Sequence, residues 1–144
     1  MHRHLKIECR LENLKEIRSF IQDNLQTLAI NELEQNLMVV AIDEMCANLI
    51  IHANERDESK FIHVGVQPLE DGVIFELKDN GHSFDPSSYI ESSLTEVKRL
   101  RRKGGLGLSL VRRIMDKIEY VQSEDCNVCL LYKKLNLYSQ LSGI

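Results

Sequence analysis

Residues 41–54 read AIDEMCANLIIHAN, and within them Glu44, Asn48 and His52 fall four positions apart. On an α-helix that interval stacks the three side chains above one another along a single side. Their neighbours Ile42, Met45, Cys46, Ala47, Leu49, Ile50, Ile51 and Ala53 are apolar, so the polar stripe needs either water or partners. Two readings stand open at this point. A solvated outer face accounts for Glu44, and a satisfied helix end accounts for His52. Asn48 suits a plain exposed face less well, because Asn is a poor helix former and Lys, Arg or Glu would serve better there.

The periods on either side of this helix give the architecture. Leu5, Ile7 and Cys9 alternate and predict a short strand. Leu14, Ile17, Ile21, Leu25 and Leu28 recur every three or four residues, the mark of a helix with one buried stripe. The second helix runs from about Glu32 to His52. Ile62, Val64 and Val66 alternate, LEDG (residues 69–72) reads as a turn, and Val73, Phe75 and Leu77 alternate again, so a hairpin is expected. No period is sustained through 80–103. A helix from about Leu106 to Lys117 follows, then strands near 118–122 and 128–132 around an SEDCN turn. The order β-α-α-β-β-loop-α-β-β predicts an α+β domain with a mixed, mostly antiparallel sheet and helices on one face. No internal repeat or linker interrupts it, and residues 1–144 read as a single domain.

Composition narrows the function classes. A chain of 144 residues can bury one core, and 43% hydrophobic with 28% charged residues is globular rather than disordered. A net charge of −4 provides no general attraction to nucleic acid or to anionic lipid. No apolar run approaches the roughly 20 residues that span a bilayer. The start MHRHLKIECR alternates instead of building the apolar block of a secretory signal, so a cytoplasmic location is expected. Cys9, Cys46 and Cys129 sit inside apolar periodic segments, which suits reduced core thiols. Cys126 and Cys129 have half the spacing of a zinc site, but no second half with suitable spacing exists.

Two more stretches carry chemistry. In DNGHSFDP (residues 79–86), alternation places Asp79 on the buried face with Val73, Phe75 and Leu77. A carboxylate there requires a donor. An adenine 6-amino group is one such donor, Gly81 would let backbone approach a flat ring, and Phe84 and Pro86 could shape the wall. An ordinary Asp-Asn-Gly turn explains the same residues. In RRKGGLGLSLVRRIMD (residues 101–116), Gly104, Gly105 and Gly107 open a helix, where free backbone amides can cradle phosphates. Lys98, Arg99, Arg101, Arg102 and Lys103 bring positive charge to that place. No aromatic residues interleave with these cations, which argues against nucleic acid.

The three stretches, in this order, resemble the motifs of the GHKL ATPase superfamily of gyrase, heat-shock chaperone, histidine kinase and mismatch-repair ATPases. E-x-x-x-N-x-x-x-H-A is matched by Glu44, Asn48, His52 and Ala53; D-x-G-x-x-F-D-P by Asp79, Gly81, Phe84, Asp85 and Pro86; and G-x-G-L-x-L by Gly105, Gly107, Leu108 and Leu110. The short single-domain form is similar to bacterial anti-sigma factors that are also serine-protein kinases. The element order fits nearly the whole chain apart from the last ten or so residues.

The resemblance implies a role for each matching position. Asn48 would coordinate Mg²⁺ bridging the phosphates of ATP. Asp79 would accept from the adenine amine, with Gly81 beside the ring, and Phe84 would belong to the nucleotide-binding set. Backbone amides of Gly105, Leu106, Gly107 and Leu108 would hold the phosphates, with Arg102 and Lys103 closing over them from a lid at 80–103. Glu44 would be the general base for a serine hydroxyl, and its presence separates this chain from relatives that only bind nucleotide. A histidine kinase would need a helical segment for which the N-terminal part is too small, and the chaperone and gyrase ATPases need more length. The implied protein is a homodimeric serine kinase that phosphorylates a small antagonist and sequesters a sigma factor. The alternative is a nucleotide-gated binding regulator without useful kinase activity. Nucleotide turnover with no partner present would mark a third possibility, a plain ATP hydrolase.

Overall fold

The structure is a computed structural model and describes residues 3–55, 57–81, 105–122 and 126–135. Five strands form one sheet: β1 (Arg3–Glu8), β2 (Phe61–Leu69), β3 (Gly72–Asp79), β4 (Lys117–Gln122) and β5 (Asn127–Lys134). Their spatial order is β1-β2-β3-β5-β4. Among the described residues every pairing is antiparallel, the antiparallel part of the mixed, mostly antiparallel sheet that the element order predicts. β2–β3 and β4–β5 pair consecutive strands, whereas β3 and β5 are neighbours although β4 lies between them in sequence.

Register explains the buried face. Leu5, Val64, Leu77, Cys129 and Tyr120 lie in one row across the five strands, and Val66, Phe75, Leu131 and Ile118 in another. Side chains alternate along a strand, so these rows share one face of the sheet. On the opposite face Lys6, His63 and Gln67 are exposed. Beyond the first of these rows, at the end of the sheet, runs a mixed one: Ile7, Ile62, Asp79, Asn127 and Gln122. It is apolar on the β1–β2 side and polar from β3 onward.

Three helices cover that face: α1 (Leu14–Gln26), α2 (Glu32–Asn48) and α3 (Gly105–Ile114). α2 packs against both α1 and α3. Ile17, Ile21 and Leu25 form the expected stripe of α1 and are fully buried. α2 begins where Asn31 Oδ1 accepts the Glu34 amide at 2.8 Å, satisfying one of the free donors of the first turn. Replacing Asn31 with Ala lowers stability by about 1 kcal/mol, measured as the shift of a urea-unfolding midpoint.

Two element ends depart from the sequence reading. α2 stops at Asn48 and continues as a single π turn, Leu49–Ala53, instead of remaining α-helical to His52. α3 stops at Ile114 rather than Lys117. The Met115 amide closes on Val111 O, but the Asp116 amide donates across to Tyr132 O at 2.9 Å and draws Lys117 into β4. In the β2–β3 hairpin Leu69 pairs with Gly72, and a Cβ on Gly72 would stand 2.3 Å from Lys133 O, so the turn requires glycine there.

Cys9, Cys46 and Cys129 are buried free thiols. Burial pushes Cys9 up to about 11 and Cys129 up to about 12, with the Asp79 charge adding to both. They remain protonated at neutral pH. Among the described residues, no group of three His, Cys, Asp or Glu could hold a metal ion, and no helix is long and apolar enough to cross a membrane.

Candidate functional site

The C-terminal half of α2 supplies two of the expected side chains. Glu44 is half-buried. Burial raises its pKa above the ordinary carboxylate range, and the neighbouring Asp43 charge adds to the rise. Asp43 is itself held by Arg18 of α1, with Nη1 and Oδ1 2.9 Å apart. Asn48, one turn further on, is only 1% exposed. Its Nδ2 donates back to Glu44 O at 2.8 Å, while its Oδ1 is buried with no hydrogen-bond partner among the described residues. A buried acceptor left without a donor costs about 1–3 kcal/mol, so the fold retains it at a penalty.

The π turn then changes the direction of the chain. The Asn54 amide reaches Leu49 O, five residues back, at 2.9 Å. Such single π turns often mark functional positions in helices. His52 falls inside the turn and is half-buried, so the fourfold α-helical stack ends at Asn48. The turn also brings Asn54 fully inside, at 0% exposure.

Asp79, at the end of β3, is buried to 1% exposure on the face that alternation predicts. All its hydrogen bonds among the described residues end on Oδ1. The Gly81 amide donates at 2.8 Å, and the Nδ2 atoms of Asn54 and Asn127 both approach to 3.4 Å. Asn54 also donates to Leu49 O at 2.8 Å, and Asn127 to Gly81 O at 3.0 Å. Thus Glu44, Asn48, Asp79 and Gly81 belong to one connected group, joined through the π turn and Asn54.

Asn54 and Asn127 were absent from the sequence reading. Asn127 stands directly opposite Asp79 in the β3–β5 register, a pairing that strand periodicity alone does not specify. Asn54 enters only because the helix takes on one extra residue per turn. The nearest sequence signal was a lone polar residue closing an apolar run.

α3 opens at Gly105, so Gly105, Leu106, Gly107 and Leu108 are its first four residues. These are the positions whose backbone N–H groups have no intrahelical partner. The Leu108 side chain is 2% exposed and belongs to the core, leaving only its backbone for a ligand. α3 packs against α2, the helix that carries Glu44 and Asn48. Phe84, Arg102, Lys103 and most of residues 80–103, the expected lid, lie outside the described residues.

A sheet covered by helices on one side, with a buried carboxylate at a strand end and a donor-free amide oxygen on the central helix, defines a class. The chain belongs to the histidine kinase-like ATPase domain family, whose model matches residues 7–133. Its sequence is similar to the anti-sigma F factor of Clostridium perfringens strain 13, with 28% identity over 85 residues, covering 59% of this chain and 61% of that protein. The corresponding factor of strain SM101 is 28% identical over 88 residues, covering 60% of this chain and 63% of the relative. The chain therefore spans about three-fifths of the length of the curated relatives it matches. In backbone it is similar to the RsbU and RsbW domains of Rv1364c from Mycobacterium tuberculosis, with a TM-score of 0.67 at 14% identity, over 94% of this chain and 32% of that one. The Acinetobacter baumannii histidine kinase AdeS gives a TM-score of 0.53 at 12% identity, over 93% of this chain and 68% of that one. At these identities the structural likeness shows the fold alone.

Proposed function

We propose that this chain is an ATP-dependent serine-protein kinase of the anti-sigma type, which phosphorylates a small antagonist protein and sequesters a sigma factor. The observation that carries the reading is Asn48 Oδ1, an amide oxygen buried without a donor one helical turn beyond the half-buried Glu44. A hard oxygen ligand of that kind suits Mg²⁺, which takes few protein ligands and shares the rest of its shell with phosphates and water. The donor set fits the remainder of ATP as well. Asp79 accepts from the adenine amine, Gly81 lets the backbone lie beside the ring, and the α3 amides from Gly105 to Leu108 receive phosphate oxygens. Phe84, Arg102 and Lys103 complete the pocket and its lid at 80–103, within a single domain of residues 1–144. Mg·ATP supplies, when bound, the phosphoryl group and the charge that neutralises its oxygens. Glu44 takes the proton from the serine Oγ.

Family membership supports the nucleotide, and the name of the Clostridium relatives supports the anti-sigma output. A cytoplasmic homodimer that contacts neither nucleic acid nor membrane completes the proposal. Calorimetric titration of ATP with and without Mg²⁺ tests its foundation. The wild-type protein binds more tightly with Mg²⁺, and Asn48→Ala removes that difference. Equal affinity in both conditions for the wild-type protein sinks the assignment of Asn48. Incubation with γ-labelled ATP and a candidate antagonist then separates the kinase from a nucleotide-gated binder, because only the kinase leaves label on a serine.

A further inference from the structure

We propose that Asn54 and Asn127 are positioning residues that set base selectivity by fixing how Asp79 presents its carboxylate; the inference rests on Asp79 receiving the base. Asp79 is 1% exposed, and its Oδ1 receives the Gly81 amide and both asparagine Nδ2 atoms. The orientation of each asparagine is forced. Leu49 O and the carboxylate, which flank Asn54, are both acceptors, and so are Gly81 O and the carboxylate, which flank Asn127. Only the amide nitrogen can face such a pair, since an oxygen there would meet two further oxygens.

With Oδ1 occupied from three directions, the carboxylate plane has one setting, and Oδ2 is the oxygen left for a donor on a ligand. A 6-amino purine offers that donor, whereas a 6-oxo purine offers a second acceptor against it. Asn127 also holds Gly81 O at 3.0 Å, so it ties the acceptor and the close-approach backbone into one unit. Asn54 ties the same unit to the π turn that follows Asn48. Discrimination between the two purines therefore depends on two amides that do not themselves touch the base.

The test is equilibrium binding of ADP and inosine diphosphate, which differ at the 6-position and in the N1 proton, to the full chain. Wild-type protein prefers ADP by at least ~10²-fold, as a site built around a donor contact does. Asn127→Ala and Asn54→Ala each reduce that ratio about tenfold, mainly through loss of ADP affinity, the usual scale for a contact whose partner is no longer held. Asn127 is half-buried at a strand start, so its variant folds even if the fully buried Asn54 position does not tolerate truncation; a thermal melt of each variant establishes this. An unchanged ratio, or equal weakening of both nucleotides, overturns the proposal and leaves the asparagines as structural ties. Failure of the wild-type protein to bind ADP overturns the reading of Asp79 instead, and the two failures are distinguishable.

Discussion

Replacing Glu44 with Gln lowers the rate of transfer to the antagonist serine by ~10²–10⁴-fold while leaving nucleotide affinity nearly unchanged. The amide keeps the size of the side chain and cannot accept the hydroxyl proton. Binding survives because the proposed contacts to the nucleotide come from Asp79, Gly81, Asn48 and the α3 amides. The reaction needs Glu44 ionised, and burial together with Asp43 raises its pKa above the ordinary Glu range. The rate therefore falls as pH drops through that raised value, so the acid limb of the profile lies higher than an exposed Glu would give. Asp43→Asn removes a neighbouring negative charge and moves the limb to lower pH; in Glu44→Gln the limb disappears. Measured kcat against pH for the three proteins decides the matter. A Glu44→Gln enzyme that retains wild-type turnover would show that the base lies elsewhere.

The second large effect belongs to Asp79→Asn. Three donors already converge on Oδ1. An amide at this position must keep its oxygen toward them, which places its NH₂ where Oδ2 was. A donor then faces the donor of adenine, and ADP affinity drops by ~10²-fold or more, as when a polar partner is left unmatched. The same geometry predicts a change of preference. The 6-oxo group of inosine diphosphate accepts from the new NH₂, so this nucleotide gains on ADP in the variant. Calorimetric titration of both nucleotides into wild-type and Asp79→Asn protein measures it directly. Retained ADP binding by the variant rules Asp79 out as the adenine acceptor.

Much of this arrangement was legible in the chain because it depends on local period. Alternation at Val73, Phe75 and Leu77 carried Asp79 to the buried face, and the fourfold interval in α2 placed Glu44 and Asn48 on one side. What escaped depends on contacts between elements. Asn127 joins the site through strand register, which is fixed by turn geometry and by the hydrophobic face as a whole. Asn54 joins through a π turn, and nothing in LIIHAN distinguishes one extra residue per turn from a continuing helix. The end of α3 was misjudged because Ile114, Met115 and Ile118 keep a helical interval, while the competing hydrogen bond comes from Tyr132 on another strand.

The donor-free oxygens of Asn48 and Asn54 bear on the lifetime of the protein as well as on its chemistry. Buried acceptors without donors tax the folded chain by itself, and any ligand that supplies a cation or a proton donor to them lifts part of the tax. If the proposed nucleotide is that ligand, loaded copies open less often and resist proteolysis better than empty ones.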